Sequence, residues 1–267
     1  MKTPHVLAIS SFAVHGTASL KTFTTILGER VLPVPSLMLN GLTNMALIKK
    51  LDVPFAELLQ SSFDLAVNRE LELILYIGYL GKADQVDVIM EMINTYRPII
   101  KTIIVDPVCG DHGRAYVPAD VIARWPEVIK LADWVFPNLT EIKILTGHRP
   151  DGTEADAFYI KAFRKQYPNV QPVITSIKTG NDAIGIQYYK DDECYSYSHP
   201  VLPKNYGGTG DAFLAAFILN HFYNAMSFDS ALKAAADQTY RLIKNSINSD
   251  SNDLSLSTIK ILSPNHE

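Results

Sequence analysis

Short apolar runs alternate with amphipathic stretches along most of the chain. Residues 6–9, 73–77 and 99–105 are almost continuously apolar, as strands buried on both faces are. Between them, apolar residues recurring every three or four positions predict helices at 18–27, 55–67 and 84–96. Pro54 stands at the first turn of the second of these helices, and Pro98 closes the third. Residues 31–34 and 36–39 are extended, where Pro33 and Pro35 predict an edge or irregular course. A further helix is expected at 45–51.

Farther along, the pattern predicts short helical pieces at 118–125 and 127–131, a strand at 134–136 and helices at 139–145 and 155–166. A strand follows at 173–175. Residues 183–189 and 193–198 alternate apolar and polar around Lys190-Asp191-Asp192, a hairpin pattern. Helices at 212–223 and 228–247 finish the fold, and 248–267 is a polar tail with a weak apolar run at 254–262.

Strands alternating with helices imply an α/β chain with a mainly parallel sheet covered on both faces. Ligands of such sheets bind off the carboxyl ends of the strands. No repeat, low-complexity block or linker divides the sequence, so residues 1–267 are expected to form a single domain. With 47% hydrophobic and 19% charged residues, the composition is that of an ordinary globule. A net charge of -4 offers no footprint for nucleic acid. The apolar start is better explained by a first strand than by a signal peptide, and no run of 18 apolar residues predicts a membrane span. Cys109 and Cys194 form no CxxC or Cys/His metal pattern, so a reducing, cytoplasmic setting is expected.

The most informative stretch is Asn205-Tyr206-Gly207-Gly208-Thr209-Gly210-Asp211, which runs straight into an apolar helix. Glycine lets backbone N–H groups approach a bound group closely. The first N–H groups of a helix are unpaired and carry the positive end of its dipole. The corner of Gly208, Thr209 and Gly210 is therefore an anion site, suited to a phosphoryl group in transit. Asp211 lies inside it, and the helix mouth is expected to keep it ionised and only weakly basic. Phosphoryl transfer tolerates such a group, which need only orient a hydroxyl and accept its proton late.

Polar or glycine residues stand at the end of each central strand: Ser10, Gly78-Tyr79, Asp106, Asn138 and Thr175-Ser176. One cleft can collect them. A carboxylate at Asp106 suits Mg²⁺. Asn138-Leu139-Thr140-Glu141 is a plain capping box that can also place Glu141 near a metal and Asn138 near phosphates. Asp111 lies on a glycine-flanked loop, Tyr79 and Tyr116 can stack on a flat ring, and Ser10 and Thr43 can bond its substituents. Neither the P-loop pattern nor GxGxxG is present.

Taken together these residues resemble the ribokinase-like superfamily and, within it, the pyridoxal kinases. The resemblance runs from residue 6 to about residue 236. It is carried by Gly78-Tyr79-Leu80-Gly81, by Asp106-Pro107-Val108-Cys109-Gly110-Asp111 with Tyr116-Val117-Pro118, by Pro137-Asn138-Leu139-Thr140-Glu141, and by Gly208-Thr209-Gly210-Asp211.

The resemblance implies a three-layer α/β/α fold without a separate lid domain, usually a homodimer. It implies transfer of the ATP γ-phosphate to the 5′-hydroxymethyl of pyridoxal, pyridoxine or pyridoxamine, with Mg²⁺ and K⁺ as candidate ions. Asp211 would be the base and Gly208 to Gly210 the anion hole. Asp106 and Glu141 would serve the metal, with Asp111, Asn138, Thr175, Ser176 and Thr209 on the nucleotide side. Ser10, Thr43, Tyr79 and Tyr116 would frame the ring.

Two departures from the family pattern stand out. Phe136 replaces a common Thr, and Ser19-Leu20 replace a usual Gly-Asn pair. The run Leu20-Lys21-Thr22-Phe23 looks instead like hydroxymethylpyrimidine kinases, which share the fold. That substrate, and a non-catalytic protein that binds the B6 vitamers, are the alternatives.

Overall fold

The computed structural model describes residues 3–42, 47–180, 182–190 and 193–255. The chain runs β1 (His5–Ala13), α1 (Leu20–Leu27), β2 (Val31–Leu39), β3 (Lys50–Leu51), α2 (Phe55–Asn68), β4 (Leu73–Ile77), α3 (Gln85–Tyr96) and β5 (Ile100–Val105). A small flap of β6 (Gly110–Asp111) and β7 (Arg114–Ala115) precedes α4 (Ala119–Ile129), β8 (Trp134–Val135), α5 (Leu139–Leu145) and α6 (Asp156–Gln166). Then come β9 (Gln171–Thr179), β10 (Ala183–Lys190), β11 (Glu193–Pro200), α7 (Thr209–Ile218) and α8 (Phe228–Asn248).

Nine strands form one sheet in the order β11-β10-β9-β8-β5-β4-β1-β2-β3. From β9 to β2 every neighbour is parallel, while β10, β11 and β3 pair antiparallel at the two margins. Side chains alternate between faces along a strand. On β1, Leu7 and Ile9 join one core while Val6 and Ala8 join the other. On β4, Leu75 and Ile77 likewise oppose Ile74 and Tyr76. The first core is closed by α2 to α6, through residues such as Phe63, Ile89, Trp125, Ile142 and Phe163. The second is closed by α1, α7 and α8, through Phe23, Phe217 and Leu232. The result is the expected three-layer α/β/α arrangement. No described helix is long and apolar enough to cross a membrane.

Several elements differ from the sequence reading. The helix expected at 45–51 is not formed in its described part, where a turn leads to β3. Residues 43–46 lie outside the described residues. Asn40 explains the rest: its amide donates to Leu47 O at 3.0 Å and its carbonyl oxygen accepts from Lys49 N–H at 2.7 Å. A side chain that supplies these bonds offers the backbone an alternative to helical pairing.

The two extended pieces at 31–34 and 36–39 merge into β2. Its prolines are tolerated because β3 pairs only with Met38 and Leu39, leaving the flank beside Pro33 and Pro35 without a strand. The two helical pieces at 118–131 are one helix, α4, with Pro126 inside it. Burial of Val121, Trp125, Val128 and Ile129 on one face holds it together across the missing N–H. The strand at 173–175 is the middle of the longer β9. The helix at 212–223 starts earlier, at Thr209, and ends at Ile218 in a π turn, Leu219–Tyr223. The hairpin of β10 and β11 is as expected, although residues 191 and 192 of its turn lie outside the described residues.

After α8 the chain turns back. The Tyr206 hydroxyl and the Lys204 ammonium both donate to Ser251 O, and Leu254 is buried. The start of the polar tail is thus tied to the loop that precedes α7.

The arm at the sheet margin depends on one close approach. A Cβ on Gly185 would stand 1.9 Å from Tyr197 O and 2.6 Å from Ser198 Cα, on the neighbouring strand. Gly185→Ala should therefore lower the unfolding free energy by about 1–3 kcal/mol, the usual range for overpacking. The denaturant midpoint reads this, and an unchanged midpoint would mean that β11 lifts away at no cost.

Candidate functional site

The carboxyl ends of the parallel strands open onto a cavity of about 930 Å³. Tyr79, Asp106 and Asn138, from the ends of β4, β5 and β8, line it. So do Thr175 and Ser176, and the corner Gly207 to Asp211. One cleft therefore gathers what the sequence places at separate strand ends.

The corner is built as glycine chemistry requires. Gly208 has a left-handed backbone, φ 82°, immediately before α7. A Cβ there would stand 2.3 Å from Thr17 O, so the loop before α1 packs directly on it. The first intrahelical bond runs from Ala212 N–H to Gly208 O at 2.9 Å. The N–H groups of Thr209, Gly210 and Asp211 have no hydrogen-bond partner among the described residues and are free for a ligand. The Thr209 hydroxyl is turned away, donating to Tyr206 O at 2.8 Å, so Thr209 contributes its backbone.

Asp211 lies partly open to the cleft with Oδ2 accepting from Ser19 N–H at 2.8 Å. Its carboxyl is not the weak base expected of a helix mouth. Burial pushes its pKa up to about 6, and the Ser19 N–H only partly offsets this. Burial disfavours the charged carboxylate even though the residue keeps some exposure to the cleft. Asp211 is still ionised at neutral pH and is a better proton acceptor than an exposed aspartate.

Asp106 follows β5, its N–H bonded to Ile77 O at 2.9 Å. Burial and the nearby Asp211 charge push its carboxyl well above the usual range. The capping box forms in full. Asn138 Oδ1 accepts from Glu141 N–H at 2.9 Å, and Glu141 Oε2 accepts from Asn138 N–H at 2.8 Å. Glu141 Oε1 also takes Cys109 N–H at 3.2 Å, which ties the start of α5 to the loop after β5. Burial and the Asp106 charge raise the Glu141 carboxyl, and the two backbone N–H groups oppose the rise.

None of Asp106, Glu141 and Asp211 has a cationic partner among the described residues. Nor do any three His, Cys, Asp or Glu residues there come close enough to form a metal cluster by themselves. Such a donor set fits Mg²⁺, which prefers oxygens and is commonly held by one or two carboxylates together with water and substrate phosphates. Glu141 already accepts two backbone N–H groups, which leaves Asp106 the freer oxygens.

The remaining candidates divide. Tyr79, 6% exposed, and Tyr116, 50% exposed on the segment after the flap, both line the cavity. Asp111 lines it from the end of β6, where its Oδ1 accepts from His112 N–H at 2.8 Å. Ser10 is not past the end of a strand. β1 continues to Ala13 because it pairs with β2 as far as Leu39, and Ser10 is buried within it, accepting Tyr79 N–H at 3.2 Å. The next residue, Ser11, lines the cavity instead. Thr175 and Ser176 are inside β9, at an irregularity opposite Gly185 to Gln187, where Ser176 has φ 58°. That kink brings them to the cavity. Thr43 lies outside the described residues.

Sequence reasoning missed Ser11, Ser19 and a far wall of His199 and Tyr240. The last two rings stack at 4.5 Å and line the cavity from β11 and α8. Only Ser19 carried a signal, as a residue that departs from the family pattern. Phe136, the other departure, is buried and packs on Phe217 at 5.3 Å.

A three-layer fold with a helix mouth, an acidic residue and further carboxylates at one strand-end cleft defines a ribokinase-like phosphotransferase. The family model for phosphomethylpyrimidine kinase matches residues 18–256. A pyridoxal kinase of Arabidopsis thaliana is 30% identical over 235 residues, covering 81% of this chain and 74% of that one. The crystal structure of pyridoxal kinase from Entamoeba histolytica superposes with a TM-score of 0.85 at 22% identity, over 98% of this chain and 96% of that chain. Pyridoxal kinase from Leishmania donovani, in complex with ADP and pyridoxamine, gives 0.78 at 24% identity over 95% and 91%. The chain belongs to the phosphomethylpyrimidine kinase family and, among its members, to the pyridoxal kinases.

Gly208→Ala tests the corner, since the added methyl meets backbone and cannot turn away. The variant should remain folded while its kcat, measured by ADP release, falls by about a hundredfold or more, as loss of an oriented N–H cradle predicts. Unchanged kcat would mean the N–H groups do not face the phosphoryl group.

Proposed function

We propose that this chain transfers the γ-phosphate of ATP to the 5′-hydroxymethyl group of pyridoxal, pyridoxine or pyridoxamine. It is a phosphotransferase with an alcohol acceptor. The observation that carries this reading is Asp211 at the mouth of α7, one oxygen held and the other free, beside three N–H groups without partners. Asp211 orients the substrate hydroxyl and takes its proton as the bond to phosphorus forms. The N–H groups of Thr209, Gly210 and Asp211 neutralise the phosphoryl oxygens in transit. Tyr79 and Tyr116 flank the ring, and Asn138, Thr175 and Ser176 attend the phosphates. Asp106, with Glu141 behind it, would hold Mg²⁺, which supplies positive charge to the phosphate oxygens. A single domain acting as a homodimer in the cytoplasm, with K⁺ as a further ion, completes the reading.

Hydroxymethylpyrimidine is the second candidate acceptor. It is favoured by the run Leu20-Lys21-Thr22-Phe23, which opens α1 beside Asp211, and by the family description. A binding protein without turnover fits less well, because every part of the phosphoryl corner is intact. A coupled ADP-release assay across pyridoxal, pyridoxine, pyridoxamine and hydroxymethylpyrimidine decides among them. Turnover should be greatest on a B6 vitamer, and turnover on hydroxymethylpyrimidine alone would transfer the assignment to the second reading.

Asp211→Ala should lower kcat by about three orders of magnitude or more while ATP still binds, since the loss falls on the transition state. Near-normal turnover in that variant removes Asp211 as the base. The pH dependence follows from the raised Asp211 pKa of about 6. The base works when ionised, so kcat/KM should fall about tenfold per pH unit below that value and level off above it. Stability has the opposite sign. A carboxyl raised by burial favours folding when protonated, and that contribution is lost as pH rises from the ordinary aspartate range through about 6.

A further inference from the structure

Ser19 has a backbone that serine rarely adopts, φ 51° and ψ -132°. This is glycine territory, and such strain persists only where the surroundings enforce it. Four hydrogen bonds do so. The Ser19 carbonyl accepts from Thr22 N–H at 3.0 Å and Phe23 N–H at 3.2 Å, opening α1. Its hydroxyl accepts from Ser11 Oγ at 2.9 Å. Its N–H donates to Asp211 Oδ2. On the far side, Thr17 and Ala18 are pressed against Gly208, so the loop cannot shift without moving the glycine corner.

The side chain is spent in an unusual way. A serine at the N-cap ordinarily turns its oxygen onto the first helical N–H groups. Ser19 makes no such bond, and its hydroxyl is given to Ser11 instead. The helix loses a cap, and the backbone keeps the orientation that aims N–H at the carboxylate. Oδ1 of Asp211 has no hydrogen-bond partner among the described residues, so the restraint on Oδ2 decides which oxygen faces the cleft.

We propose that Ser19 is the positioning residue for Asp211, with Ser11 as its anchor. The Ser11 hydroxyl locks the strained Ser19 backbone, whose N–H holds Oδ2 and presents Oδ1 to the substrate alcohol. Neither hydroxyl needs to touch the substrate. This inference rests on the kinase reading, with Asp211 as the base.

Three variants and their cycle test it. Ser19→Ala keeps the N–H but loses the anchor in a conformation that alanine resists. It should lower kcat about tenfold or more, with KM for ATP and for the vitamer within about threefold, as loss of a transition-state orientation requires. Ser19→Gly also lacks the hydroxyl but adopts the conformation freely, and should keep kcat within about threefold of the parent. Ser11→Ala should resemble Ser19→Ala in the parent background and cost nothing further in the Ser19→Gly background, because coupled residues do not add.

If the alanine variant outperforms the glycine variant, Ser19 is ordinary packing and the proposal falls. If Ser11→Ala costs the same in both backgrounds, Ser11 acts on the substrate directly and the proposal also falls. Thermal denaturation of each variant shows whether it is folded. Failure of the kinase reading looks different: the parent protein would then turn over no vitamer, or Asp211→Ala would remain active.

Discussion

Three carboxylates, those of Asp106, Glu141 and Asp211, are gathered at the ends of a parallel sheet with no Lys or Arg paired to them among the described residues. Keeping such groups out of water is unfavourable unless something neutralises them. Part of the relief is internal. Two backbone N–H groups hold Glu141, and one holds Asp211. The rest is left as raised carboxyl pKa values and as an appetite for cations. The same cleft also presents the N–H groups of a helix mouth, which attract anions. A nucleotide phosphate chain with a bound cation would supply both signs of charge at once.

How much of this was legible depended on how local the cause was. The capping box and the glycine corner are written in consecutive residues, and both formed as the sequence implies. The mainly parallel sheet followed from apolar strands alternating with amphipathic helices. What escaped was decided across the fold. Asn40 drew residues 47–49 out of a helical pattern, and the face of α4 carried Pro126 through. β2 extended β1 far enough to bury Ser10 and bring Ser11 to the wall. The raised pKa of Asp211 is hidden from the sequence for a similar reason. The helix mouth can be read from the chain, but the burial of the carboxyl depends on the folded surroundings.

The two departures from the family pattern have different weights. Phe136 stands where family members often have Thr, and it joins an edge-on and tilted aromatic cluster with Phe213 and Phe217 at the cavity wall. The adjacent Asn138 has its amide engaged, donating to Gly110 O at 2.9 Å and accepting from Glu141 N–H. Ser19 is closer to the chemistry. A residue with a side chain occupies a conformation that glycine would adopt without strain, and the hydroxyl pair shows what holds it there.

The carboxylate at the mouth of α7 and the amide that holds it are 192 residues apart. Closing so large a loop is entropically demanding, and contacts of that span tend to be late in folding. During synthesis, α1 emerges long before α7, against which it packs. The nascent chain can therefore assemble much of its sheet before Asp211 is held in place, and the proposed base is set only when these two distant segments meet.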